Sequence, residues 1–307
     1  MNFDVMEDEV LCGFTVTAQQ KRLNLVYLDL LREFGRLCDK AGIRWWIYFG
    51  TLLGAARHQG FIPWDDDVDI MVPRKDFDRL LAMTNEEFGA EGPYFLQNPV
   101  TDPHYYQPLL RFRRSDTAAV MDYDLVTLRE HPREADYNMG MCLSLFPLDD
   151  CPQSDFVRLL RKKTAYVLLG IYYRGSCPAK EKPLFHLVCR GVGKVIGFKN
   201  IMTMIQACFR VKRPNGKTVN CVDGFYPDPH LWPAADFAET VYLPFENTAL
   251  PAPAGWDDLL TNRYGNYKEF PPPEQRVYKH DGYLTADRPY TEVVRDLDAV
   301  EAYLKNA

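Results

Sequence analysis

The sequence predicts an α+β fold, a small mixed sheet flanked by helices, on three observations. Leu23, Val26, Leu30, Leu31, Phe34, Leu37 and Cys38 recur at helical spacing over residues 21–41. Directly after them, Ile43, Trp45, Ile47 and Phe49 alternate with Arg44, Trp46 and Tyr48, the period-two signature of a strand. A second alternation, over residues 67–72, interleaves Asp67 and Asp69 with Val68 and Ile70.

Taken in order, the first helix ends at Gly42, whose free backbone suits a left-handed cap. The strand over 43–49 runs into Gly50 and Thr51, then a short helix from Leu53 to Arg57 and a loop holding Gly60 and Pro63. The strand over 67–72 is followed by Pro73, which opens a helix containing Phe77, Leu80 and Leu81. Further strands are predicted at 94–97, 109–113 and 140–146. A helical stretch over 155–213 is interrupted at Gly175, Pro178 and Pro183, and a last helix covers 291–305. The expected division is a catalytic core over 1–150, a basic helical insertion over 151–220, and a proline-rich C-terminal segment, 221–307, packing back on the core.

At 47% hydrophobic and 25% charged residues, the chain can bury a substantial core and is not a disordered one. Its acidic start lacks the basic and apolar regions of a secretory signal, and its longest uncharged apolar run, 164–173, is far short of a membrane span. A cytoplasmic location is therefore expected. Eight cysteines without a CxxC pair read as reduced thiols rather than a zinc site. The net charge of −6 hides an asymmetry: between Cys151 and Asn220, fourteen basic residues stand against two acidic ones. Such a segment is either a solvated helical face or the seat of an anionic partner, a phosphate-bearing substrate, a glycan or a lipid surface at the inner face of a membrane. It lacks regularly spaced aromatic residues and any nucleic-acid-binding module, so nucleic acid is not expected.

The chemistry concentrates in Trp64-Asp65-Asp66-Asp67-Val68-Asp69-Ile70. On a strand, Val68, Ile70 and Val72 face a core while Asp67, Asp69 and Met71 share the other side. Two carboxylates about 5 Å apart repel by roughly 3 kcal/mol at an effective dielectric near 20. A bound cation relieves that, and oxygen-only ligands suit Mg²⁺ or Mn²⁺, ions that commonly complete their shells with substrate phosphate. Upstream, Gly50 and Thr51 offer backbone N–H groups and a hydroxyl to a phosphate.

The run from Phe49 to Lys75, FGTLLGAARHQGFIPWDDDVDIMVPRK, resembles the signature of the LicD family, which includes the fukutin-related proteins. The resemblance extends to CGFTVTAQQKR, to Arg111–Thr117, to LSLFPLDD over 143–150, and to the Tyr264–Arg276 closing segment. It implies a nucleotidyltransferase-like core that transfers a phospho-alcohol, typically phosphocholine from CDP-choline, to a hydroxyl of a glycan, lipid-linked glycan or teichoic acid precursor. It further implies metal ligation by Asp67 and Asp69, and matches Gly50 and Thr51 to the family's glycine and small hydroxyl residue. One departure stands out: where the family's IDIFPLD segment carries a third acid, this chain has Ser144.

Three readings follow from Ser144. Asp66 or Asp149 takes the acid's role, the acceptor hydroxyl needs little deprotonation, or the protein binds without turnover. A nucleotidyltransferase acting on a small molecule is a further alternative. Around the metal, Arg111 and Arg113 are candidates for the donor diphosphate, Arg57 and His58 for the approach to the acidic loop, and Trp64 for shielding the ion or stacking on a base. Tyr264, Tyr267 and Arg276 belong to the closing segment, which either returns to the catalytic face or acts as a strap.

Overall fold

The computed structural model describes residues 7–105, 109–130, 135–176, 183–221, 231–278 and 282–306. After a small ribbon of β1 (Glu9–Leu11) and β2 (Phe14–Val16), helix α1 runs Ala18–Ala41. The Thr17 hydroxyl caps its start by accepting from the Gln20 N–H, and Gly42, at φ 62°, closes it with its N–H on the Asp39 and Cys38 carbonyls. The predicted apolar stripe is the buried face: Leu30, Phe34 and Leu37 are each 1% exposed or less. Each such side chain contributes about 1.5–3 kcal/mol of transfer free energy.

The strand expected over 43–49 pairs only at β3 (Trp46–Ile47), because Phe49 turns to positive φ and α2 (Phe49–His58) begins. Gly50 and Thr51 therefore lie inside the first turn of α2. The alternation itself persists: Ile43, Trp45 and Ile47 enter one core, while Trp46 and Tyr48 enter another. Then come β4 (Asp69–Pro73), α3 (Arg74–Ala82), α4 (Asn85–Phe88), β5 (Tyr94–Gln97), β6 (Leu110–Arg114), β7 (Ala118–Met121) and α5 (Asp122–Glu130).

The centre of the sheet is β8 (Met141–Pro152), well beyond the predicted end at Phe146. It pairs parallel with β4 along one edge. Along the other edge it pairs antiparallel with β6 through its first half and with β9 (Pro214–Cys221) through its second. The predicted boundary at residue 150 consequently falls inside a strand, and residues 214–221 are part of the central sheet. Helices α6 (Asp155–Ser176), α7 (Pro183–Ile196) and α8 (Phe198–Phe209) fill the basic stretch; Pro178 lies outside the described residues. Ile201 and Ile205 of α8, with Leu168, Leu169 and Tyr172 of α6, share a core with Ala118 and Val120 of β7.

The last third is more regular than its prolines suggest. After β10 (Trp232–Pro233), residues 240–253 form a hairpin of β11 (Thr240–Phe245) and β12 (Thr248–Pro253), and Phe245, Leu250 and Ala252 join the core beneath α1. A two-stranded ribbon tolerates Pro244, Pro251 and Pro253 because each strand keeps one free edge. There follow α9 (Trp256–Tyr264), β13 (Gly282–Thr285), which pairs with β7, α10 (Tyr290–Val293) and α11 (Leu297–Asn306). Where one terminal helix was predicted there are two.

Candidate active site

The backbone of Asp69 is pinned from both sides. Its N–H donates to Thr51 Oγ1 at 2.9 Å, and its carbonyl accepts from the Tyr48 N–H at 2.9 Å. Thr51 is buried and does not line the cleft, so its hydroxyl holds Asp69 in place rather than meeting a phosphate as the sequence suggested. In the parallel ladder Asp69 lies opposite Ser144, and in the antiparallel ladder Ser144 lies opposite Arg111. Three neighbouring strands thus present Asp69, Ser144 and Arg111 in one row, with about 4.8 Å between strands. The residues alternating with them, Ile70, Leu145 and Leu110, point into the core under α1.

The row forms the floor of a cleft of about 1060 Å³, lined also by Asp65, Asp66, Asp67, Arg57, Trp64, Arg113, Gly50 and the segment from Arg263 to Gln275. Oxygens of Asp65, Asp66 and Asp67 lie within 4.8 Å of one another. Asp69 stands next to this group: burial raises its carboxyl well above the usual carboxylate range, Asp67 and Asp65 add to the rise, and Arg111 opposes it. A desolvated carboxylate facing two others is costly unless positive charge joins them. The all-oxygen donor set fits a hard divalent cation, with Asp67 and Asp69 as the predicted ligands and Asp65 beside them.

Local packing explains why the acidic loop adopts this course. A Cβ on Gly50 would lie 2.2 Å from Asp65 Oδ2, so the absent side chain is what lets that carboxylate reach the first turn of α2. The Tyr27 hydroxyl of α1, deeply buried, donates to the Asp66 carbonyl at 2.8 Å.

Above the acidic loop, the closing segment does return to the cleft. Trp64 packs edge-on against Phe14, His58 and Phe270, and the guanidinium groups of Arg57 and Arg276 lie 6.0 and 5.4 Å from its ring centroid. Arg57 donates to the carbonyls of Tyr267 and Glu269 at 3.1 and 3.0 Å, while Arg276 donates to those of Pro271 and Cys12, each at 2.8 Å. Trp64 is therefore the centre of a roof over the carboxylates. His58 stacks on Phe270 and does not line the cleft; burial, and then Arg57, lower its pKa to about 4. Tyr264 and Tyr267 line the cleft, and burial raises the Tyr264 hydroxyl to about 12.

Two expected residues are engaged elsewhere. Asp149 lies five positions beyond Ser144, an odd number, so it points to the opposite face of β8. There it makes a two-pronged ion pair with Arg74, at 2.6 and 2.8 Å. It cannot replace the third acid. Arg113 borders the cleft, but its guanidinium donates to Gln97 Oε1 at 2.5 Å and to the Gly140 carbonyl at 2.6 Å; Arg111, whose Nε donates to the Tyr105 hydroxyl at 3.1 Å, is the arginine in the row of the floor. Sequence reasoning missed Tyr27, Asp65 and Arg263, whose guanidinium lies 4.0 Å from the Phe49 ring centroid at the cleft wall. Asp65 was legible through its adjacency to the Asp-x-Asp pair, whereas Tyr27 and Arg263 reach the site only through the tertiary fold.

Residues 42–119 match the family model described as LicD/FKTN/FKRP, nucleotidyltransferase domain. Over 271 residues, 83% of this chain and 94% of the relative, the sequence is 26% identical to the Lipopolysaccharide cholinephosphotransferase LicD of Haemophilus influenzae. It is 40% identical over 67 residues, 20% of this chain and 14% of the relative, to the Ribitol 5-phosphate transferase FKRP of Homo sapiens. An uncharacterized protein of Rickettsia typhi is 46% identical over 59 residues, 19% of this chain and 18% of that one. The matched domain spans the first turn of α2, the acidic loop, β4 and β6, and so includes Asp69 and Arg111 of the floor, while Ser144 on β8 lies beyond it. Residues 42–119 thus resemble the LicD-type nucleotidyltransferase domain, and the similarity to the Haemophilus influenzae relative runs along most of the chain.

Proposed function

We propose that the protein transfers a phospho-alcohol, most simply phosphocholine from CDP-choline, to a hydroxyl of a cell-surface glycan or teichoic acid precursor. The observation that carries this reading is the row of Asp69, Ser144 and Arg111 beneath Asp65 and Asp67, at the floor of a cleft of about 1060 Å³. A volume of that order suits a nucleoside diphosphate-alcohol together with part of an acceptor. The activities named for the Haemophilus influenzae and human relatives, phosphocholine and ribitol phosphate transfer, supply the reaction class.

A divalent cation such as Mg²⁺ or Mn²⁺, held by Asp67 and Asp69, would neutralise the donor diphosphate and the charge developing on the leaving nucleoside monophosphate. Arg111 presents a guanidinium to the same diphosphate from the adjoining strand, and Arg57 and Arg263 add positive charge at the walls. Trp64 and Phe270 keep water from the carboxylates and offer a face to a base or a choline headgroup. The acceptor hydroxyl attacks phosphorus on the alcohol side, and Asp65, which clusters with Asp67 and acts electrostatically on Asp69, stands in for the acid that Ser144 lacks. A loose phosphoryl transition state relies on positioning and charge more than on a strong base, which favours turnover over silent binding.

The test is release of CMP from CDP-choline by purified protein with Mg²⁺ and a glycan acceptor, compared with Asp69→Asn and Ser144→Asp. Turnover that Asp69→Asn abolishes supports the reading. No turnover in the natural form, with turnover appearing in Ser144→Asp, makes the protein a binding homologue. A nucleotidylated acceptor instead of free CMP makes it a nucleotidyltransferase.

A further inference from the structure

Helices α6 and α7 are apolar on both sides. On α6 the inward face is Ala165, Leu168, Leu169 and Tyr172, all buried. Opposite it, Phe156, Leu160, Lys163 and Val167 follow one another at i, i+4, i+7 and i+11, an outward stripe in which Phe156 is 75% exposed and Val167 60%. On α7 the buried side holds Cys189, while Leu184, Val188, Gly191 and Val195 repeat the same spacing outward, with Leu184 74% and Val195 88% exposed. An apolar stripe turned away from the core and bordered by basic residues suits a helix lying at a membrane interface. Two such stripes on adjoining helices form an exposed apolar patch of a kind that marks an interaction surface.

The charge of the same helices identifies the partner. Lys162, Lys163, Arg174 and Lys194 flank or interrupt the two stripes, and the Arg174 guanidinium lies 5.4 Å from the Phe185 ring centroid on α7. A second copy of this chain would bring the same cations against these. A glycan does not need branched aliphatic side chains to be bound. An anionic bilayer answers both features: apolar side chains enter the acyl boundary while lysines and arginines meet the headgroups. Among the described residues no helix is long and apolar enough to cross a membrane, so the contact lies along the surface.

We propose that the outward stripes of α6 and α7 dock the protein on an anionic lipid bilayer. The fold ties this surface to the cleft through β7. Ala118 and Val120 pack in the core with α6 and α8, while Ala119 and Met121, the alternating residues, line the cleft. Docking therefore fixes the cleft relative to the membrane plane, which favours an acceptor carried on a lipid. The inference stands on the helices alone and does not depend on the proposed reaction.

The experiment is co-sedimentation of the full chain with phosphatidylcholine vesicles and with vesicles also containing phosphatidylglycerol. It is repeated for Leu184→Glu/Val188→Glu, for Phe156→Glu/Val167→Glu and for Lys162→Glu/Lys163→Glu. These positions are at the surface, and circular dichroism checks that each variant is folded. Binding is expected to require phosphatidylglycerol, to weaken with salt, and to fall at least tenfold in each double variant, since each basic residue near the surface is worth roughly a factor of five. CMP release with a soluble acceptor is expected to stay unchanged. Absence of binding to anionic vesicles, or equal binding by all the variants, overturns the proposal. So does sedimentation equilibrium showing a dimer that the same substitutions dissolve, which would assign the stripes to a second copy.

Discussion

Replacing Thr51 by valine separates two roles for one hydroxyl. In the structure Thr51 Oγ1 accepts from the Asp69 N–H at 2.9 Å, in a position closed to the cleft. Valine keeps the branched shape, so little cavity forms, but the buried N–H loses its acceptor. Leaving such a donor unsatisfied costs about 1–3 kcal/mol, a roughly 5- to 150-fold change in the folding equilibrium. The free peptide also lets the Asp69 side chain wander from its place beside Ser144. The expected result is a lower urea midpoint together with weaker Mn²⁺ binding by electron paramagnetic resonance, both largely restored in Thr51→Ser. If Thr51→Val unfolds and binds Mn²⁺ like the natural protein while its KM for CDP-choline rises, the hydroxyl contacts substrate and the positioning argument is wrong.

Three further perturbations follow from the same geometry. Asp69→Asn removes a buried charge facing Asp67 and Asp65, so without metal the variant is expected to melt no lower than the natural protein, yet to show no stabilisation by Mn²⁺ in a thermal melt. Gly50→Ala gains about 1 kcal/mol of helix propensity but places a Cβ 2.2 Å from Asp65 Oδ2; a folded protein with reduced Mn²⁺ affinity is expected, and unchanged affinity would mean that Asp65 is idle. His58, lowered to about 4 by burial and by Arg57, binds its proton more readily unfolded than folded. Its contribution to stability is therefore complete above the unfolded value of about 6.5 and lost as pH falls towards 4. His58→Phe, which preserves the packing on Phe270 and Trp64, should flatten that part of the acid limb in urea titrations at pH 7 and 5; an unaltered limb would place the titration elsewhere.

Local periodicity carried much of the fold. The α1 stripe, its Gly42 stop, the alternation around β4 and the strand at 94–97 were all readable because each depends on residues a few positions apart. Ser144 came from the resemblance of residues 143–150 to the family's IDIFPLD segment, and strand parity agrees with its place in the row. The same parity, applied five residues further, would have removed Asp149 from the candidates. What could not be read was long-range: a hydroxyl on α1 reaching the Asp66 carbonyl, the hairpin hidden among prolines, and the partners that take up Arg113. Thr51, offered by the sequence to a phosphate, lies buried behind Asp69 with its hydroxyl on the Asp69 N–H. A hydroxyl's type does not reveal whether it faces substrate or a neighbouring peptide.

The roof over the acidic loop is supplied by residues 267–276, some two hundred positions after the carboxylates it covers. During synthesis, then, the row of Asp69, Arg111 and Ser144 leaves the ribosome long before Phe270 and Arg276 do. Until they do, Trp64 has Phe14, His58 and Arg57 as neighbours but not Phe270 or Arg276. The cover of the carboxylates is thus the last part of the cleft to leave the ribosome, made by a stretch of chain far from the carboxylates in sequence.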